Sequence, residues 1–295
     1  MDAAIPGPPL EVLAEADCQL GEGPLWSVDE ESLLFVDITA GALRSWTAAD
    51  GLADRRRFDG LLGFAMPRRG GGLVAGVDRR LELVAPDGSS RTIVTVEPDH
   101  PDNRFNDAKC DPAGRLWAGT MSMHREPGVA ALYRLEPGGE LEPAVTGLTI
   151  SNGLGWSPDA RTMYLIDSPT QRIDAFDFDL AAGALSNRRP LVEIDPAEGL
   201  PDGLTIDAAG GIWVALFGGA EVRRYGPDGA LDLRLPLPTS NCTCPALGGA
   251  DLRDLFVTTA KHKLEPDQLA RQPLAGALFH GRSPWPGMPL NRFAG

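Results

Sequence analysis

Short apolar runs recur along the chain, each opened by a turn cluster and carrying a bulky side chain near its centre. They are SLLFVD (32–37), GLVAG (72–76), RLWAG (115–119), TMYLID (162–167), GIWVA (211–215) and DLFVT (254–258). Asp, Gly, Pro and Ser dominate the residues just before them, as in Asp111-Pro-Ala-Gly114 and Asp207-Ala-Ala-Gly210, so each reads as strand, turn, strand. The bulky residues Phe35, Val74, Trp117, Tyr164, Trp213 and Phe256 are spaced 39 to 49 positions apart, the period of a four-stranded propeller blade. Further strands follow within a repeat, and Ile173–Phe178 shows the period-two alternation of a half-buried strand. The pattern predicts an all-β fold, a six-bladed β-propeller with four-stranded blades around a central channel. It predicts one domain over residues 1–295, with irregular tails at 1–9 and 281–295. Open sheet edges are a liability, so one blade should be completed from both termini, Leu10–Ala14 lying beside Ala277–Phe279.

The same register carries the candidate chemistry. Eleven to thirteen residues before the bulky positions stand Glu22, Gly63 (or Phe64), Asn106, Asn152, Asp202 and Cys244. Equivalent positions in successive blades converge on the channel. Glu22, Asn152 and Asp202 would then meet as two carboxylates and an amide carbonyl, a hard oxygen set suited to one divalent metal ion. The cation would also relieve the repulsion between the two buried acids. Arg104 and Asn106 are donors suited to the hydroxyls or carbonyl of a polar substrate, while Asp107 reads as a turn residue. Gly63 and Cys244 offer no hard oxygen, which places the expected site off-centre in the ring. Taken alone, Asn152-Gly153 and Asp202-Gly203 are ordinary hairpin signals, and only their shared register argues for more. His124, after the third repeat, is a candidate lid residue.

Composition narrows the field. Of 295 residues, 43% are hydrophobic and 23% charged, while 35 glycines and 26 prolines are spread along the chain rather than clustered. That is the make-up of a folded protein with many short strands and turns. A net charge of −14 disfavours nucleic acid and anionic membranes as partners, and no obligate protein partner is evident. Cys18, Cys110, Cys242 and Cys244 form no CxxC pair and read as buried free thiols. With no signal-peptide pattern and no apolar span, the expected location is cytoplasmic. No phosphate loop, Gly-x-Ser-x-Gly elbow or dinucleotide fingerprint occurs.

The chain resembles the family that joins senescence marker protein 30 (regucalcin), gluconolactonases and luciferin-regenerating enzyme. The resemblance is carried by Leu20-Gly-Glu-Gly-Pro24, Arg104-Phe-Asn-Asp107, Trp117-Ala-Gly-Thr-Met121, Ser151-Asn-Gly153 and Pro201-Asp-Gly203. Val257-Thr-Thr-Ala260 and Gln272-Pro-Leu-Ala-Gly276 are similar to bacterial sugar lactonases in particular. It implies one divalent ion in the channel (calcium, zinc, manganese or iron) on Glu22, Asn152 and Asp202, with Arg104 and Asn106 contacting substrate. The activity expected on that basis is metal-dependent hydrolysis of a sugar lactone to its aldonic acid. Asp202 is the expected general base, since a metal-ligating carboxylate at the mouth can also reach the metal-held water. Three other readings remain open. They are a non-catalytic calcium-binding regulatory propeller, a lactonase or esterase acting on a non-sugar ester or organophosphate, and a protein-interaction scaffold.

Overall fold

Six antiparallel sheets of four strands, meandering outward from a central axis, make up nearly all the regular structure. A computed structural model describes residues 5–6 and 9–295. The inner strands of blades 1 to 6 are Gly21–Ser27, Leu62–Pro67, Asn103–Cys110, Ser151–Trp156, Leu200–Ile206 and Cys242–Gly248. Neighbouring inner strands pack side by side, and that of blade 6 closes against that of blade 1. The fold is the expected six-bladed β-propeller.

Closure works as the sequence predicts. Glu11–Ala14 is the outermost strand of blade 6, antiparallel to Leu278–Arg282, with Val12 opposite Phe279. Ile5–Pro6 adds in parallel to the outer edge of blade 5, while residues 1–4, 7 and 8 of the expected N-terminal tail lie outside the described residues. Beyond Arg282 the chain runs without a named strand but is tied to the blades. Phe293 exchanges backbone hydrogen bonds with Pro67 and Arg69, and the Ala294 N–H donates to Gly114 O. Phe293 is 2% exposed and packs into the apolar cluster of blades 1 to 3.

The six bulky residues of the repeat are all buried, filling the wedges between blades. Two of them explain the turns before them. Asp207 accepts hydrogen bonds from the Ala209 and Gly211 N–H groups (2.9 Å each), from Trp213 Nε1 (2.9 Å) and from Arg224 Nε (2.7 Å). Asp111 does the same in blade 3, accepting from the Arg115 N–H (3.0 Å) and Trp117 Nε1 (3.1 Å). A turn aspartate thus supplies the partner that a buried indole N–H requires. All four cysteines are free and buried.

Candidate active site and metal centre

Two devices set the register at the channel mouth. Three blades carry an aspartate at the end of the second strand that accepts from backbone N–H groups where the inner strand begins. Asp37 holds Gln19 and Leu20 (2.9 and 3.1 Å), Asp78 holds Leu61 (2.9 Å), and Asp167 holds Ile150 (2.9 Å). The other device is a one-residue register shift in each of the six inner strands. Asn106-Asp107, Asn152-Gly153 and Asp202-Gly203 fall in these shifts, and in blade 1 the shift begins directly after Glu22. A bulge turns a side chain out of the ordinary alternation, here towards the axis.

The glycines in these motifs are not hairpin residues, contrary to the simplest reading of Asn-Gly and Asp-Gly. Neither Gly153 nor Gly203 has a positive φ. A Cβ on Gly153 would stand 2.6 Å from Asp202 O, and one on Gly203 would stand 2.8 Å from Thr243 O and collide with the Cys244 side chain. They are glycines because adjacent inner strands approach closely where the blades converge.

Glu22, Arg104, Asn106, Asn152 and Asp202 line one pocket of about 80 Å³, together with Ser168, Arg125, His262 and Lys263. The five expected residues are each no more than 9% exposed. Asn152 Nδ2 donates to Ser168 Oγ (3.0 Å) and to Asp202 Oδ1, which leaves Asn152 Oδ1 buried with no partner. Arg104 Nη1 donates to Phe105 O and Asn106 Oδ1 (2.8 Å each), and Asn106 Nδ2 donates to Ser151 O (3.0 Å). Asn106 therefore locks the guanidinium to the neighbouring blade.

Charge is held here against its preference. Burial, then the charges of Asp202 and Asp107, push the Glu22 carboxyl well above the usual carboxylate range. Burial likewise raises Asp202 to about 8, with Asp107 adding to the shift and Asn152 and Arg104 opposing it. Arg104 is lowered to about 10 by burial, against the pull of both acids. Asp107 belongs to the inner strand and not to a turn. It is buried with its carboxyl raised, and its Oδ2 has no partner.

These features fit a divalent cation. Two buried acids, one of them raised by the other's charge, and the orphaned amide oxygen of a residue lining the same pocket are what a hard cation would satisfy together. Among the described residues no group of three His, Cys, Asp or Glu side chains could hold a metal, because the third oxygen here is an amide's.

His124 lies apart from the pocket. It is 74% exposed and stands 3.5 Å from Asp102, and its neighbour Arg125 is the residue of that loop that lines the pocket. Arg125, His262, Lys263 and Ser168 were invisible to the repeat argument. They come from loops joining second to third strands, outside the shared register. In blade 6 the bulge residue is Thr243, whose hydroxyl is committed to Gly21 O (2.6 Å). Blade 6 thus reaches the pocket through its loop residues alone.

A six-bladed propeller with acids and amides gathered at one channel mouth defines the structural class. The sequence places the chain within it more narrowly. Residues 20–261 match the SMP-30/Gluconolactonase/LRE-like region, and the chain belongs to that family. It is 39% identical to regucalcin of Danio rerio over 273 residues, 92% of each chain. It is 37% identical to the provisionally named sugar lactone lactonase YvrE of Bacillus subtilis (strain 168), over 97% of this chain and 99% of that one. A regucalcin of Agrobacterium tumefaciens str. C58, described as a calcium-binding protein, superposes with a TM-score of 0.92 at 27% identity, over 99% of both chains. No helix among the described residues is long and apolar enough to cross a membrane.

Proposed function

We propose that this protein is a divalent-metal-dependent lactonase that opens a sugar lactone to the corresponding aldonic acid. The observation that carries the reading is the orphaned Asn152 Oδ1, buried beside Glu22 and Asp202 in a pocket that also presents Arg104. The lactonase name borne by the Bacillus relative and the calcium-binding description of the Agrobacterium one agree with it.

Glu22, Asn152 and Asp202 would hold the cation, which when bound supplies Lewis-acid polarisation of an ester carbonyl and acidifies a nearby water. The chain's own residues do the rest. Asn152 Nδ2 fixes Asp202 through Oδ1, leaving Oδ2 to take a proton from the attacking water. Arg104, held flat by Phe105 O and Asn106, presents its remaining N–H groups to the ring oxygens and to charge developing on the carbonyl oxygen. Asn106 keeps one amide hydrogen and one lone pair for a substrate hydroxyl. Burial of the whole set limits competing water.

The test is proton release on a panel of sugar lactones by purified protein, stripped of metal and then reloaded. Hydrolysis should need the metal and vanish in Asp202→Ala while the far-ultraviolet spectrum is kept. The same oxygen set would serve a calcium-binding regulator equally well, and that reading wins if the metal binds tightly yet no lactone releases acid.

A further inference from the structure

Although the chain carries a net charge of −14, its pocket is rimmed by positive charge. Arg104, Arg125 and Lys263 line the same space as Glu22 and Asp202. Among the lining side chains that is three cations against two carboxylates, with the buried Asp107 carboxyl behind them, before a divalent ion adds two more positive charges. Among the described residues neither Arg125 nor Lys263 has an acidic partner, whereas nearby Lys261 pairs with Asp17 and His124 faces Asp102. The charges that act on Lys263 are those of Arg125 and Arg104, and these, after partial burial, hold its amine below the usual range. His262 is lowered by burial and by the same cations.

The two loops come from opposite sides of the ring. Arg125 follows the second strand of blade 3, and Lys263 follows the second strand of blade 6. Both residues are exposed at the mouth, above the buried carboxylate and amide set. Both also hold a left-handed backbone, with φ of 56° and 64°, which side-chain-bearing residues seldom adopt. A substrate bearing only hydroxyls would leave these like charges facing each other across the opening, whereas an anion between them would relieve the repulsion.

Resting on the lactonase reading, we propose that the preferred substrate is a lactone with a second anionic group, a carboxylate or a phosphate remote from the reacting ester, held between Arg125 and Lys263. The buried set takes the ester, the rim takes the second charge, and the two together fix which end of the sugar enters first. Arg125 and Lys263 are then specificity residues, remote from bond breaking.

Three probes test this with the metal-loaded enzyme: a neutral aldonolactone, the monolactone of a sugar dicarboxylic acid, and a phosphorylated aldonolactone. The wild type should favour one of the anionic lactones by about tenfold or more in kcat/KM, a preference that shrinks at high salt. Whether the carboxylate or the phosphate gives the larger ratio identifies the group. Arg125→Gln and Lys263→Gln should each lower that ratio several-fold, mainly through KM, and Lys263→Arg should restore most of it. Both sites are exposed, and thermal melts would confirm that the variants fold. Equal or better hydrolysis of the neutral lactone by the wild type overturns the proposal, as does an equal loss on all three substrates in the variants. Failure to hydrolyse any of the three would instead overturn the lactonase reading itself.

Discussion

Replacing Asp202 by Asn should stabilise the metal-free protein at alkaline pH while removing its chemistry. Asn keeps the shape and can still accept the Asn152 hydrogen bond through its carbonyl oxygen, but it carries no charge. In the folded chain the Asp202 carboxyl is raised from 3.8 to about 8, chiefly by burial. Between those two pH values the native state holds a proton that the unfolded chain has released. The associated stability is therefore full below about pH 4 and is lost as pH rises through about 8. At 1.36 kcal/mol per unit the ceiling is roughly 6 kcal/mol, and relaxation with water entry should bring the realised effect to about 1–3 kcal/mol. For a chain of this size that is a Tm difference of roughly 2–5 °C. Calorimetry of chelator-treated protein should show Asp202→Asn melting above the wild type at pH 8.5, with the gap closing near pH 4.5. Added metal should reverse the order at pH 8.5, since only the wild type gains binding energy from it. A metal-free variant that melts level with or below the wild type at pH 8.5 would refute the idea that this carboxylate is held at a cost.

Two further substitutions probe the frame that aims the site. Gly203→Ala should cost about 1–3 kcal/mol in urea unfolding, because its Cβ meets Thr243 O and the Cys244 side chain, which cannot withdraw without shifting blade 6. Wild-type stability in that variant would mean that the inner strands are not in tight contact there. Asp207→Ala should cost about 3 kcal/mol, since it strands the Trp213 indole N–H and the Gly211 N–H and leaves the buried Arg224 with Asp232 as its one carboxylate partner. It lies outside the pocket, so KM for any lactone should hold steady in the folded fraction, and a changed KM would contradict the purely structural role given to this turn.

Much of the site is legible in the chain because a propeller repeats one local pattern. Glu22, Asn106, Asn152 and Asp202 share a position relative to a buried bulky residue, and that position maps to the start of each inner strand. The bulges were not legible. One extra residue within a strand looks the same, in sequence, as one extra residue in the following turn. For that reason Gly153 and Gly203 read as hairpin residues and Asp107 as a turn residue, although all three lie within inner strands. Sequence did reveal the ring closure, since Glu11–Ala14 needed a partner and only the last blade lacked an outer strand.

What the sequence determined by itself is whatever depends on near neighbours: strand alternation, turn chemistry, the blade period, and hence the axis on which the oxygen side chains meet. Tertiary structure alone decided the charge balance of the pocket. Arg125 and Lys263 occupy no repeat position, and they are neighbours only because closing the ring sets the loops of blades 3 and 6 across one opening. The physical reason is one of range. Backbone geometry is set within a few residues, whereas the field in a pocket sums over every charge the fold brings near, wherever it lies in the chain.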